Sequence, residues 1–355
     1  MCLQIPGCPW KRAGEVCLEC DGSCVTASRK HLLTALLNIF CGSARHPRPL
    51  VPCHDGVVMR SVISRIVSIF LLASLSAAAP PPMSVRWQPD KLVNGSPVFF
   101  RVTSRVRLKT LSGTWLSQPL SFSYDSAAHA WYTLAGVSLK TDPGTYTLQL
   151  SGETATGRSV SFEQPIRINK GAYKVVVALS VPKQFTEPDP KQLQQIAHDK
   201  GIKEEKFKEG TSAQLWAGPF KPPVDAAISD VFGTRREFNG AVQSVHQGLD
   251  FRVPEGTPVR ALNSGTILLA QPLYFEGNCV FIDHGQGLLS LYLHLSKLSV
   301  QAGDHVEAGQ EIGLSGATGR ATGAHLHLAI RWRGEYLDPE TLLSLRLPAG
   351  SSATH

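Results

Sequence analysis

The stretch Ala324-His-Leu-His-Leu-Ala-Ile330 alternates its two histidines with apolar residues. Such alternation is typical of a β-strand, in which side chains two positions apart point to the same face of a sheet. His325 and His327 are therefore expected to face one side together. Two imidazoles in this arrangement can both contribute to one metal site.

Two further pieces of the C-terminal third carry metal-competent residues, His246-Gln-Gly-Leu-Asp250 and Tyr292-Leu-His294-Leu. His246 and Asp250 are four positions apart, but Gly248 between them argues against a regular helix. We expect the start of a strand or a tight loop that brings an imidazole and a carboxylate to one metal ion. A single histidine is usually a hydrogen-bonded surface or core residue, whereas this combination matches a catalytic zinc site with three protein ligands and an open position for water.

The stretch from Val231-Phe-Gly-Thr-Arg235 to Asp338-Pro339 closely resembles the lysostaphin-type (LytM-type) zinc metallopeptidases, which are peptidoglycan endopeptidases. The shared motifs are H-x-G-x-D, Y-x-H-L and G-A-T-G-x-x-T-G-x-H-L-H, and they occur in the same order. The resemblance implies that one Zn2+ per chain is bound by three metal ligands, His246, Asp250 and His327. It implies that two catalytic residues, His294 and His325, act on the reacting water and carbonyl. All five positions are present, which favours an active enzyme.

This chemistry is consistent with the residue types. Zinc lowers the pKa of a bound water towards about 7 and polarises a carbonyl. A neighbouring imidazole can accept and return a proton, and a second one can donate a hydrogen bond to the developing oxyanion. The chain has no H-E-x-x-H helix and hence no glutamate base of that kind. Either His294 or His325 can be the base.

Two alternatives to an enzyme are a carrier domain and a non-catalytic relative. The segment Val306-Glu-Ala-Gly-Gln-Glu-Ile-Gly313 resembles lipoyl and biotinyl carrier domains, but those need an exposed lysine at a hairpin tip, and no lysine follows Lys297. A non-catalytic relative that activates another wall hydrolase typically lacks zinc or catalytic positions. The intact five-residue set favours the peptidase over both.

A secretory signal peptide is predicted over residues 59–78. It has a basic start, a mostly apolar stretch from Ile66 to Leu75 and small residues before a cleavage site after Ala78. The apolar stretch is too short for a membrane span. We therefore expect translation to start at Met59 and residues 1–58 to be spurious upstream translation or disordered, the alternative being a cysteine-rich N-terminal module.

The cysteines favour the first alternative. Seven of the eight precede Met59: Cys2, Cys8, Cys17, Cys20, Cys24, Cys41 and Cys53. The spacing of Cys17, Cys20 and Cys24 could indicate a zinc knuckle, but no second well-spaced ligand pair follows. The exported chain then keeps only Cys279, which we expect to be buried and inert.

The predicted fold class is mainly β: an N-terminal immunoglobulin-like sandwich plus a C-terminal antiparallel β peptidase domain of the duplicated hybrid motif or barrel-sandwich type. The sandwich is expected over 84–168, where Asp142-x-Gly144-x-Tyr146 resembles a tyrosine corner. It is either a wall- or partner-binding module or a spacer that positions or shields the catalytic domain. The peptidase domain is expected over 223–345, followed by a flexible tail over 346–355.

A linker with a short helix is predicted over 169–222. Asp189 and Pro190 are a cap and first residue typical of a helix start. Leu193, Ile196 and Ala197 are expected to form the apolar face of this helix, and Gly201 to interrupt it.

The charge of the chain is mildly basic, with 35 basic and 28 acidic residues and a net charge of +7. Residues 1–82 hold eight basic and four acidic side chains, so the remainder has 27 against 24, a net charge of +3. That is too small to indicate a nucleic-acid partner, but it is compatible with weak attraction to an anionic cell wall. We expect peptidoglycan as the partner, a monomer without a transmembrane helix in its mature form, and export to the periplasm or cell envelope.

Overall fold

A computed structural model describes residues 16–20, 23–27, 81–174, 177–240 and 242–348. The chain divides into two compact units, Met1–Ala78 and Ala79–His355. In the first, β1 (Val16–Cys20) and β2 (Ser23–Ala27) form an antiparallel hairpin. The predicted signal peptide and most of the segment before it lie outside the described residues. No helix in the described part of the chain is long and apolar enough to cross a membrane.

Two antiparallel-based sheets form the first half of the second unit, as the mainly β prediction requires. One has the order β3-β5-β9-β8 and the other β4-β11-β10-β6-β7. The strands are β3 (Met83–Gln88), β4 (Leu92–Val93), β5 (Pro97–Ser104), β6 (Leu108–Trp115), β7 (Gln118–Ser121), β8 (Ser123–Asp125), β9 (Ala130–Gly136), β10 (Gly144–Thr154) and β11 (Ser159–Asn169).

The interior of this sandwich follows from strand periodicity. In β10, Leu148 and Leu150 point inwards between exposed neighbours, and they lie in one core with Phe100 and Trp115. The Tyr146 hydroxyl donates a hydrogen bond to the Asp142 carbonyl at 2.9 Å, the contact expected of a tyrosine corner. The immunoglobulin-like assignment itself stays a prediction.

A connector follows, which we define as residues 170–210. It contains β12 (Val177–Leu179), a 3-10 turn (Lys183–Phe185) and helix α1 (Pro190–Lys206). As predicted, α1 begins at Pro190. Asp189 caps it by accepting a hydrogen bond from the Gln192 amide at 2.8 Å, and the Gln192 side chain accepts from the Asp189 amide.

Two predictions for this helix are wrong. The helix continues through Gly201, which lies in open space, because a single exposed glycine costs only about 1 kcal/mol. Leu193 is 53% exposed, whereas Asp199 is buried and accepts a hydrogen bond from the Tyr274 amide at 2.6 Å. The helix therefore docks through Asp199 and its C-terminal end, not through the expected apolar face.

The second half of the unit is the predicted antiparallel β domain. Its main sheet has the order β13-β16-β24-β20-β19-β18-β22, with β25 paired to β24, and two small sheets have the orders β17-β23-β21 and β12-β14-β15. The elements are β13 (Ile228–Asp230), β14 (Arg235–Phe238), β15 (Val242–Val245), β16 (Leu249–Phe251), β17 (Pro258–Arg260), β18 (Gly265–Leu273), β19 (Gly277–Asp283), β20 (Leu288–Leu295), β21 (Lys297–Leu298), β22 (His305–Val306), β23 (Glu311–Leu314), β24 (Leu326–Trp332), β25 (Glu335–Leu337) and helix α2 (Pro339–Ser344).

The two faces of the main sheet differ. The core face carries Leu249, Tyr292 and Leu328, all fully buried in the large hydrophobic core. The opposite face, which we call the site face, carries a smaller apolar cluster that includes Phe281, Leu291 and Ala329 and packs against Ile202 and Phe207 of the connector. Neighbours of the core-face residues along the strands point to the site face.

The sandwich packs directly on the peptidase half, and their apolar residues form one continuous core. The Phe99 and Trp216 rings meet edge to face with centroids 6.3 Å apart. The Gln286 side chain donates to the Ser123 hydroxyl at 3.2 Å, and the Asp338 amide donates to the Gly95 carbonyl at 2.8 Å.

Candidate metal centre

Strand register brings two of the predicted ligands side by side. Asp250 of β16 lies opposite His327 of β24 in their antiparallel ladder. The neighbours of both residues, Leu249 and Leu328, point into the core, so Asp250 and His327 point to the site face. His327 lies on the same face as Leu293 of β20, its partner on the other side.

Three donor atoms converge on this face. Asp250 Oδ1 lies 2.8 Å from His327 Nδ1 and 3.1 Å from His246 Nε2, and the two nitrogens are 3.1 Å apart. All three residues are buried. The structure therefore groups the three residues predicted as metal ligands around one point.

Gly248 allows this approach for a reason that the sequence alone did not reveal. A Cβ at this position would lie 2.5 Å from His327 Nε2 and close to the Leu328 carbonyl oxygen. Any larger residue would push β16 away from β24. The glycine of the H-x-G-x-D motif is thus required by close packing.

The His246 ring is oriented by the backbone. Its Nδ1 lies 2.9 Å from the Val231 carbonyl oxygen, which can only accept, so Nδ1–H donates there. In the neutral ring Nε2 then has a lone pair directed at Asp250 Oδ1 and His327 Nδ1. When His327 carries its proton on Nε2, all three atoms present lone pairs to one point. A cation stabilises such an arrangement, and this favours a metal ion there.

The donor set fits zinc. Two imidazole nitrogens and one carboxylate oxygen are ordinary ligands of a catalytic zinc ion, and tetrahedral bonds of roughly 2.05 Å place donors about 3.3 Å apart. The observed separations of 2.8–3.1 Å need only a small outward shift.

The sequence analysis did not identify Arg236 as a site residue, but its side chain orients the Asp250 carboxylate. Its guanidinium forms ion pairs with Asp250 Oδ2 and, at 2.6 Å, with Asp230 Oδ2. Asp250 Oδ1 is left to face the two histidines. Arg235 and Arg236 are adjacent charged residues, and nothing in such a pair indicates from sequence that one of them binds a buried carboxylate.

Burial and hydrogen bonding set the protonation of the ligands. Burial by itself raises the pKa of the Asp250 carboxyl, but hydrogen bonds that His246 and His327 donate when they are protonated outweigh it and hold the pKa well below its usual range. Burial lowers the pKa of His327 to about 4. An ionised carboxylate and a neutral imidazole are the forms that bind metal.

His294 reaches the site through an unusual backbone conformation. Alternation along β20 from the core-facing Tyr292 would direct His294 into the core, but its φ of 64° lies in the left-handed region. The His294 ring instead lies 6.0 Å from that of His327, centroid to centroid. Such a conformation costs of order 1–3 kcal/mol in a non-glycine residue and is concentrated at functional sites.

His294 and His325, the two histidines not predicted as metal ligands, are oriented by similar hydrogen bonds. Nδ1–H of His294 donates to the Thr318 carbonyl and Nδ1–H of His325 to the Gly323 carbonyl, each at 2.8 Å. Their rings are 4.9 Å apart, and His325 Nε2 lies 4.0 Å from Asp250 Oδ1. Burial first, and then His325 and His327, lower the pKa of His294 to about 3. Both residues line the cavity, and each therefore keeps Nε2 as the ring nitrogen available to a reacting group.

The predicted strand around His325 and His327 begins slightly later than expected. β24 runs over Leu326–Trp332, and His325 precedes it in an isolated bridge with Gly316. The two histidines still reach one site, as their i, i+2 spacing predicted.

A cavity of about 620 Å³ opens over the five residues. Its walls include Lys174, Val177, Leu179 and Lys203 of the connector, and no residue of 81–169 lines it. In this structure the sandwich does not shield the site, and the connector forms part of the cleft instead.

Two further histidines and the cysteine lie outside the site. His284 follows β19 at the hairpin and is fully buried. His305 is exposed and hydrogen-bonds the Thr266 hydroxyl at 3.0 Å. Cys279 is buried as predicted, and burial raises the pKa of its thiol, which disfavours the reactive thiolate.

Known proteins share this part of the chain. Residues 244–339 match the model of peptidase family M23. The peptidoglycan DD-endopeptidase ShyA of Vibrio cholerae is 41% identical over 134 residues, 37% of this chain and 30% of ShyA. The DD-carboxypeptidase/endopeptidase Mpg of Neisseria meningitidis is 41% identical over 128 residues, 36% of this chain and 29% of Mpg. The chain thus covers less than a third of the length of either relative.

A solved structure extends the likeness. A Pseudomonas aeruginosa protein assigned to peptidase M23 superposes with a TM-score of 0.53 and 27% identity, covering 71% of this chain and 95% of the other. That share is larger than the region matched by the family model. Residues 244–339, which contain all five candidate site residues, therefore form a domain of peptidase family M23.

Proposed function

We propose that this chain is an exported zinc metalloendopeptidase that hydrolyses peptide bonds in the stem peptides or cross-bridges of peptidoglycan. The observation that carries the proposal is the convergence of His246 Nε2, Asp250 Oδ1 and His327 Nδ1 within 3.1 Å of one another. Curated relatives named as peptidoglycan DD-endopeptidases support the substrate class.

His246, Asp250 and His327 hold the zinc ion in this proposal. When bound, the ion supplies Lewis acidity and lowers the pKa of a coordinated water. The hydrogen bond from His246 to Val231 and the ion pair of Asp250 with Arg236 keep two of the ligands in orientation.

His294 and His325 move the protons. Because Nδ1–H of each neutral ring is committed to a backbone carbonyl, each Nε2 presents a lone pair to the cavity. Either ring can take a proton from the attacking water and return it to the leaving amine. The ring that has taken a proton becomes a donor to the oxyanion.

A non-catalytic activator of another wall hydrolase is the alternative. It requires none of the five side chains to be in reacting geometry. The presence of all five around one cavity favours the enzyme.

The experiment compares zinc content and activity. Purified protein is expected to hold about one zinc ion by elemental analysis and to release muropeptides from isolated sacculi. Removal of zinc by a chelator should abolish release, and added zinc should restore it. Equal release by metal-free protein would show that the zinc mechanism is wrong, and a zinc-loaded protein that releases nothing would favour the activator.

A matched control uses a histidine outside the cavity. His305→Ala removes an exposed imidazole of β22 that does not line the cleft. It should keep wild-type zinc content and release. A loss as large as that expected for His327→Ala would mean that the assay does not report on the site.

A further inference from the structure

Arg320, in the loop before β24, has an unusual setting in the cavity wall. Its guanidinium carbon lies 4.7 Å from the ring centroids of both Phe238 and Phe275. Its backbone amide donates to the Phe275 carbonyl at 2.9 Å, which ties the loop down. Two aromatic contacts and an anchored backbone hold this side chain in place within the cleft.

The Arg320 guanidinium is charged but forms no ion pair with the described residues. Its side chain forms no hydrogen bond with any of them, although it is half-buried. The Glu276 carboxylate, which is itself paired with Lys203, lies near enough to raise the pKa of Arg320 without contacting it. Stacking engages the faces of a guanidinium and leaves its in-plane N–H donors free. Burial lowers the pKa of Arg320, a sign that its charge is only partly solvated. An oriented, partly dehydrated cation is suited to bind an anion that enters the cleft.

The charges that line the cleft also favour the binding of an anion by Arg320. Arg236 is paired with Asp230 and Asp250, and Lys203 is paired with Glu276. Among the described residues that line the cavity, the charged side chains left without an ion pair are Lys174, Arg252 and Arg320, all of them positive. Lys174 and Arg252 are exposed, so Arg320 is the one held at a fixed position.

Arg320 lies close to the reacting groups along the chain. The loop that carries it also contains Thr318, whose carbonyl accepts the hydrogen bond from His294. The Thr318 hydroxyl accepts from the Asn278 amide and donates to the Leu295 carbonyl, at 2.9 and 2.7 Å. A group bound by Arg320 is therefore positioned relative to His294 through one short, hydrogen-bonded loop.

We propose that Arg320 is a specificity-determining residue that binds the free C-terminal carboxylate of the peptide being cleaved. A planar guanidinium and a carboxylate form paired N–H···O hydrogen bonds, which fix orientation as well as supply affinity. The proposal rests on the peptidase function proposed above, and it narrows the substrate to peptides with a free carboxylate near the scissile bond.

The test measures binding without turnover. Metal-free protein is titrated by calorimetry with acetyl-L-lysyl-D-alanyl-D-alanine and with the same peptide as its C-terminal carboxamide. Wild type should bind the acid roughly 10- to 100-fold more tightly, the range expected of charge-assisted hydrogen bonds. Arg320→Gln should remove the preference, and Arg320→Lys should restore only part of it.

Arg331 supplies a matched control. It is also half-buried over two rings, 3.7 Å from Phe207 and 4.9 Å from Tyr336, but it does not line the cavity and donates to the Gly334 carbonyl at 2.6 Å. Arg331→Gln should keep the preference for the acid. Thermal unfolding of each variant shows whether any loss of binding merely follows loss of fold.

The outcomes separate this inference from the proposed function. Equal binding of acid and amide by wild type, no binding of either, or an unchanged preference in Arg320→Gln would overturn the role of Arg320. With zinc-loaded protein, Arg320→Gln should raise KM for the acid and leave kcat nearly unchanged. A wild type that binds the acid selectively but hydrolyses neither peptide nor sacculi would contradict the proposed function and leave the carboxylate site standing.

Discussion

Histidines are buried on both the core face and the site face of the main sheet. Burial alone does not show which of them can bind a ligand. His284, beside the core face, and His327, on the site face, have their pKa lowered to about 4 by the same cause, desolvation. Their partners differ. His284 Nδ1–H donates to the Ser264 carbonyl, and its Nε2 accepts from the Ser290 hydroxyl. His327 Nδ1 faces a carboxylate and another imidazole nitrogen.

The polar network of the core face is closed. The Ser290 hydroxyl lies 3.1 Å from the Tyr292 hydroxyl, which accepts a hydrogen bond from the Leu262 amide at 2.8 Å. Each polar side-chain atom of this network of His284, Ser290 and Tyr292 has a protein partner, so the network can stabilise the fold but has no capacity left for a ligand. On the site face, His246 Nε2, Asp250 Oδ1 and His327 Nδ1 converge on one point, each within 3.1 Å of the others. This convergence of metal-ligand atoms, more than a shifted pKa, marks the functional face.

The largest expected effect is the loss of a ligand on the site face. His327→Ala should remove zinc and lower muropeptide release by about 10⁴-fold or more, because the ion loses one of its three protein ligands. Leu328→Ala, next to it on the core face, should lower the free energy of unfolding by roughly 2–5 kcal/mol yet leave one zinc per folded molecule. Elemental analysis and denaturant unfolding distinguish the two. Full zinc occupancy in His327→Ala would contradict the assignment of His327 on the site face as a metal ligand.

The next effect separates proton transfer from metal binding. His294→Ala and His325→Ala should each keep zinc and lower turnover by roughly 10²- to 10⁴-fold, as expected when a positioned acid–base group or oxyanion donor is removed. The double variant should lose less than the two losses combined, because both rings serve one transition state.

Zinc stoichiometry and cross-link cleavage are measured on each of these variants. Near-normal cleavage by both single variants would show that neither imidazole is catalytic. Loss of zinc from His325→Ala would show that His325, and not His327, is the ligand.

A pH effect is expected from the core face. The pKa of His284 is about 4 in the folded protein and about 6.5 when unfolded, so the unfolded state takes up the proton first as the pH falls. Stability from this group is complete above pH 6.5 and is lost between there and pH 4, by about 3 kcal/mol. Urea unfolding of wild type and His284→Gln at pH 7 and pH 4 measures it. The difference between the two pH values should be smaller in the variant, and an equal difference would remove His284 as the cause.

The smallest effect concerns the tyrosine of the Y-x-H-L motif. Tyr292→Phe leaves the buried Leu262 amide without its acceptor and should cost about 1–3 kcal/mol of unfolding free energy. Zinc content should not change, since Tyr292 lies on the core face. Zinc loss in a folded Tyr292→Phe protein would mean that the two faces are coupled.

Much of the candidate site could be anticipated from short-range pattern. The i, i+2 spacing of His325 and His327 predicted their common location, and the glycine between His246 and Asp250 argued against a helix. The start of α1 followed from Asp189 and Pro190 because capping is a local interaction. The ligand types, the mainly β character and the burial of Cys279 needed no knowledge of long-range contacts.

What the sequence by itself determined, then, is which side chains could bind a metal and where local elements begin. Only the tertiary structure decided how those side chains meet. The left-handed backbone of His294 reverses the face that strand alternation assigns to it. The Arg236–Asp250 ion pair, the contact of Gly248 with His327 and the stacking of Arg320 on Phe238 and Phe275 join positions far apart in the chain. The physical reason is that periodicity reports the direction of a side chain along its own strand. Distances across strands depend on register and on close approaches that only the assembled sheet creates.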